Sequence, residues 1–190
     1  MLITDVQDGA ILLPNGLQNI PQGYVLQSAT SRNHNGRPIV IYRYEKEVRE
    51  FLRLGGEHYS LSVDVETGSL LGLMWMDARF SVDVLPSEQA ASAIATAFLS
   101  RICPELAAVV ELLWVREHSE MILAGGREIS VRGMKYKTYR QSLDDYAWVV
   151  VGAGGEIITF ERDIIWRILR GGRVTEKWLY DDYCSAHASR

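Results

Sequence analysis

Between residues 59 and 66 the chain alternates, with Tyr59, Leu61, Val63 and Val65 apolar and Ser60, Ser62, Asp64 and Glu66 polar. A period of two predicts a strand with one face in the core and one in water. Thr67-Gly68 predicts a turn, and the apolar run from Leu70 to Met76 predicts a more buried strand after it. Upstream, residues 23–30 and 38–44 read as strands separated by a segment that carries the turn dipeptide Asn35-Gly36. Residues 45–54 predict a short helix with Val48, Phe51 and Leu52 on one side, closed by Gly55-Gly56.

The period then changes to that of a helix. Ala91, Ile94, Phe98 and Ile102 form one apolar stripe. Pro86-Ser87 opens this helix, Ser87 serves as N-cap, Glu88 suits the first turn and Pro104 stops it. Its many alanines allow close approach to a sheet. A second strand-rich region begins near Val110. Ile129 and Val131 point one way, while Met134, Tyr136 and Thr138 follow the opposite parity, which predicts a β-bulge at Gly133. Residues 147–151 are apolar on both faces and predict a central strand. Residues 152–155 then turn, and 156–163 return as the next strand. Thr175 caps an expected C-terminal helix carrying Leu179, Tyr183 and Ala186.

Two stretches echo one another. In each a Tyr opens a strand (Tyr59, Tyr146), a Gly follows nine residues on (Gly68, Gly155), and a second apolar strand runs to an Asp (Asp77, Asp163). Shared hairpin patterning and a duplicated unit both account for this. The expected fold is α+β, with antiparallel sheet, an Ala-rich helix packed on one face, and room for two similar halves. The halves are a β-rich 1–84 and a helix-plus-sheet 85–190, which can form one compact domain.

The turn Val63-Asp64-x-x-Thr67-Gly68, with the Ser-initiated Ala-rich helix at 87–102 before further sheet, resembles PepSY-type domains over about two-thirds of the chain. That resemblance implies antiparallel sheets with helices on one side. It also implies a role in binding and in modulating protease activity rather than a shared catalytic mechanism.

Charge adds one asymmetry. The 190 residues carry a net charge of −4. Residues 1–126 hold 9 basic and 15 acidic side chains, whereas 127–177 hold 10 basic and 7 acidic. A balance of +3 over that segment is weak for nucleic-acid binding, which is disfavoured; an acidic partner or a small anionic ligand suits it better. No window of about 18 uncharged apolar residues exists to cross a membrane. No basic residue precedes Arg32, so a secretory signal is not expected and a cytoplasmic location is. Cys103 and Cys184 are too few for a disulfide framework and are expected as free thiols.

No strong catalytic motif is present. The glycines of 152–155 lack the dinucleotide-binding spacing, and Gly171-Gly172-Arg173 lacks a phosphate-loop Lys. Asp181, Asp182, Cys184 and His187 are metal-capable, but their spacing reads as a chain end rather than a site. No metal, cofactor or catalytic residue is therefore assigned. The densest chemistry lies in 160–182, where Glu161, Arg162, Asp163, Trp166, Arg170, Arg173 and Trp178 are the candidate binding residues. Trp and Arg anchor interfaces, and Arg holds carboxylates in a two-pronged grip. Glu161 and Asp163, two apart, are expected on one strand face.

The leading expectation is a non-enzymatic binding or regulatory module that meets a protein partner or a second copy of itself through Trp166, Arg170, Arg173 and Trp178. The alternative is a small-molecule-binding or hydrolytic protein with a pocket between helix and sheet, using Glu161 and Asp163 with His58 as a third group.

Overall fold

Asn35 and Gly36 both take positive φ, 52° and 81°, as a two-residue hairpin turn requires. They join β1 (Tyr24–His34) to β2 (Arg37–Lys46). The computed structural model describes residues 17, 19–46, 55–167 and 171–187. Glu45 and Lys46 end β2. The rest of the helix expected over 45–54 lies outside the described residues, as does Arg170.

β3 (His58–Asp64) and β4 (Leu70–Met76) form the next hairpin. Its turn explains the Val-Asp-x-x-Thr-Gly pattern locally. The Asp64 carboxylate accepts the backbone N–H groups of Glu66 and Thr67, and Gly68, at φ 67°, donates back to the Asp64 carbonyl. The second half repeats the plan. β5 (Glu111–Ala124), β6 (Arg127–Arg140), β7 (Asp145–Val151) and β8 (Ile157–Arg167) run back and forth, and a two-residue β9 (Gly172–Arg173) adds to the end of β8.

The strand order is β1-β2-β3-β4-β8-β7-β6-β5, every pair antiparallel. Two four-strand meanders thus meet last strand to last strand, through Gly72↔Glu161, Leu73↔Phe160 and Met74↔Thr159. The two echoing hairpins, β3–β4 and β7–β8, occupy equivalent places on either side of that seam.

This arrangement corrects the expected α+β fold. Nine strands dominate the described residues, and two of the three α-helices, α2 (Pro104–Ala107) and α3 (Asp181–Ala186), are only 4 and 6 residues long. The physical reason is hairpin economy: each apolar strand finds its hydrogen-bonding partner in the next one, so a single sheet absorbs most of the chain. The longer helix, α1 (Glu88–Ile102), begins as expected. Ser87 Oγ accepts the Ala90 N–H. Ala91, Ala95, Phe98 and Leu99 are its buried residues, and the Phe98 ring meets Phe160 edge-on at 5.3 Å. No helix among the described residues is long and apolar enough to cross a membrane.

Three local expectations are also corrected. All seven residues of β3 are buried, so no face of that strand meets water. Its polar face lies under the C-terminal segment 174–187, whose Leu179 presses on Gly72 so closely that a Cβ there would stand 2.6 Å from Leu179 Cδ1. Gly133 is not a bulge, since the ladder passes through it unbroken, with Gly133 opposite His118. It is a close approach, where a Cβ would lie 2.8 Å from both Val150 Cγ1 and the Val151 carbonyl. Thr175 caps no helix; its hydroxyl donates to Asn35 Oδ1 and accepts the Ile165 N–H.

The far end of β5 folds back over the sheet. Leu123 N–H donates to the Gly55 carbonyl at 2.7 Å, just ahead of β3. That contact brings Glu120 and Ile122 beside His58, Met74 and Met76 around one small cavity.

Candidate functional site

β8 carries Glu161 to the polar face of the sheet, opposite Gly72 on β4 and Trp148 on β7. Its carboxylate receives two bonds from Arg173, Nη2–Oε1 at 2.7 Å and Nη1–Oε2 at 3.1 Å, and a third from the Tyr180 hydroxyl at 2.8 Å. Arg173 also donates to the carbonyls of Thr175, through Nε, and Glu176, through Nη2. Burial alone lowers the Arg173 pKa, but Glu161 more than offsets it and the net shift is upward. Burial first, then Glu161, holds the Tyr180 phenol well above its ordinary value. This cluster pins the C-terminal segment to the sheet.

Asp163 belongs to a different cluster. The β7–β8 register slips between Tyr146 and Trp148, and Asp163 sits in that slip at φ 59°. Its carboxylate accepts from Arg37 at 2.5 Å, Arg140 at 2.8 Å and Arg162 at 3.3 Å. Arg162 also pairs with Glu105, and Arg140 with Asp145. Burial pushes the Asp163 pKa up, and Arg162, Arg37 and Arg140 together bring the net below the usual range. Glu161 and Asp163 have separate hydrogen-bond partners among the described residues, and both carboxylates act on the buried His34 ring, where burial lowers the pKa and the two carboxylates raise it by less.

The two tryptophans lie apart as well. Trp166 is 43% exposed and rests over Gly172, with the Lys137 ammonium 5.6 Å from its ring. Trp178 is half-buried; its indole N–H donates to the Asn33 carbonyl at 2.7 Å, and the Arg32 guanidinium lies 5.1 Å from its ring. Arg173 is buried in its ion pair. The candidate residues thus divide into two ionic clusters and two separate indoles.

The Trp178 indole walls a cleft of about 150 Å³ between β1–β3 and the C-terminal segment. Ser28, Thr30 and Arg32 come from β1, Ile41 and Arg43 from β2, Ser60 from β3, and Asp181 and Cys184 from α3. Alternation on each strand aims these side chains at one face. Each Arg43 nitrogen meets a carboxylate, Asp181 through Nη1 at 2.5 Å and Nη2 at 3.0 Å and Glu45 through Nε at 2.8 Å. Asp181 also accepts the Gly55 N–H. Burial raises the Asp181 pKa, but His58 and Arg43 bring the net below the ordinary value. Arg32, by contrast, bonds only the Ser31 carbonyl and has no carboxylate partner among the described residues. The hydroxyls of Ser28, Thr30 and Ser60 likewise make no hydrogen bond there.

Asp181 also borders the smaller cavity, of about 70 Å³, with His58, Glu120 and Tyr180. His58 is buried, its Nδ1 2.9 Å from the Gly56 carbonyl and 3.9 Å from Asp181. Burial, then Arg43, push its pKa down to about 4, so the ring is neutral at pH 7. Its Nε2 is buried and has no hydrogen-bond partner among the described residues. The metal-capable C-terminal groups are otherwise engaged: Cys184 Sγ bonds the Trp178 carbonyl, and the His187 ring stacks on Tyr183 at 4.0 Å. Cys103 is buried and Cys184 half-buried; both are free thiols, and burial raises the pKa of each.

Sequence reading misses Arg32, Arg43 and Tyr180 as site residues. Arg43 and Asp181 are 138 positions apart, and neither lies in a motif. The one available signal is that Arg43 lies near the end of the predicted strand 38–44, two residues before Glu45. No family model, no curated protein and no solved structure matches this chain.

Proposed function

We propose that this protein binds a small molecule in the cleft between β1–β3 and the C-terminal segment, as a binding module and not as an enzyme. The observation that carries this reading is Arg32, a guanidinium over the Trp178 indole at the cleft with no carboxylate partner among the described residues. Among the described residues Arg43, Arg140, Arg162 and Arg173 each meet a carboxylate, as burial demands, while Lys135 and Lys137 lie, like Arg32, over aromatic rings but line no such cleft. A cation left over at a concavity beside unbonded hydroxyls suits a ligand. The groups that could do chemistry there are spent: Asp181 is bonded to Arg43 and Gly55, and burial raises the Cys184 thiol pKa, which disfavours the nucleophilic thiolate. A binding role without shared chemistry is also what the PepSY resemblance implies.

A fragment screen observed by amide and indole NMR shifts tests the reading. Hits are expected to move signals of Thr30, Ile41 and Trp178 in the wild type and to lose that effect in Thr30→Trp, which fills the cleft from its rim. Shifts scattered over the surface, or unchanged in Thr30→Trp, would sink it.

A further inference from the structure

We infer that the ligand of this cleft is a monoanion with a short apolar body, a small monocarboxylate, whose charge is held by Arg32 against the Trp178 indole. The inference rests on the reading of the cleft as the binding site and goes on to name the class of molecule. Charge counting comes first. Two guanidinium groups and one carboxylate line the cleft, those of Arg32, Arg43 and Asp181. Asp181 offsets Arg43, so the groups that line the cleft carry one positive charge, that of Arg32, which matches one negative charge on the ligand. Glu45, outside the lining, takes the Arg43 Nε. A dianion would leave its second charge facing Asp181.

Geometry selects a carboxylate. A guanidinium presents parallel N–H donors that fit the two oxygens of a carboxylate, and stacking on an aromatic face leaves those edge donors free. The platform is held in place, since the Trp178 indole N–H is bonded to the Asn33 carbonyl and its ring meets Tyr183 at 5.0 Å. A held platform spares part of the ordering cost of binding. Beyond the charge, Ile41 and the indole supply apolar wall, while Thr30 and Ser60 offer hydroxyls. The volume sets the size: about 150 Å³ is well below the roughly 300–1,000 Å³ of sites for drug-sized ligands.

The test is an NMR titration of the full chain with butyrate, butyramide, butylammonium, succinate and inorganic phosphate, repeated on Arg32→Gln. Butyrate is expected to move Thr30, Ile41 and Trp178 signals, with butyramide at least about tenfold weaker and butylammonium without effect. Succinate and phosphate bind no tighter than butyrate. Arg32→Gln removes the preference for acid over amide while leaving the dispersion of the spectrum intact. If butyramide binds the cleft as tightly as butyrate, the monoanion assignment is overturned while the cleft remains a binding site. If succinate or phosphate binds tighter, the assignment of a single charge is overturned. If none of the five compounds and no screening fragment perturbs the cleft, the underlying reading fails with it.

Discussion

Glu161 and Arg173, twelve residues apart in sequence, close a two-bond ion pair in which each side chain keeps only 4% of its accessible surface. The pair joins the centre of the sheet to the segment that covers its polar face. Removing one member of such a pair strands the other without water, which costs about 3–5 kcal/mol in comparable buried pairs. Arg173→Met is therefore expected to lower unfolding free energy by about that amount and to expose the C-terminal segment to protease. Urea unfolding with limited proteolysis checks this; a loss below about 1 kcal/mol would show that the pair is better solvated than its burial implies.

Asp163 separates backbone strain from charge. Its φ of 59° is comfortable for Gly and costs a residue with a Cβ about 1–2 kcal/mol, somewhat less for Asp. Both Asp163→Gly and Asp163→Ala remove the anion that faces Arg37, Arg140 and Arg162. Both should be destabilised, with the Gly variant the more stable of the two by about 1 kcal/mol. Equal stabilities would mean that the slip in β8 relaxes when the charge is removed.

His58 gives the protein an acid-side dependence. Burial first, then Arg43, depress its folded pKa to about 4 from an ordinary 6.5. The unfolded chain therefore takes up a proton first as pH falls. The stabilisation is complete above pH 6.5 and is lost between 6.5 and about 4. The full difference corresponds to about 3 kcal/mol. Burial lowers the His34 pKa too, so the informative quantity is the gap between the wild type and His58→Gln. That gap in urea unfolding free energy should shrink as pH drops through this window; a constant gap would contradict the buried, neutral imidazole.

Gly133 is held by its surroundings. A methyl group there would meet the Val151 carbonyl and Val150 Cγ1, each at 2.8 Å, and backbone cannot swing aside. Gly133→Ala should cost about 1–3 kcal/mol, as overpacked sites do. A bulge glycine free of neighbours would tolerate the change, so the melting temperature of this variant distinguishes the two roles.

Much of the fold is legible locally. The Asn35-Gly36 hairpin, the alternation of β3, the apolar run of β4, the Ser87 cap and the doubly apolar β7 follow from patterns of two to fifteen residues. The candidate site is legible only in part. Glu161 and Arg173 stand out in a charge-dense stretch, but their pairing does not, and the cleft residues Arg32 and Arg43 stand on strands with no motif around them.

The sequence by itself determined the elements, because turns, caps and periodicity are written in neighbouring residues whose conformational preferences act over a few bonds. It also determined that two similar hairpins exist. Only the tertiary structure decided that these hairpins meet at β4 and β8, that both faces of β3 are covered, and that Glu161 pairs with Arg173 while Asp163 meets Arg37, Arg140 and Arg162. Each of those outcomes depends on contacts between residues far apart in the chain. Their free energy comes from shared burial and charge pairing, which no local pattern encodes.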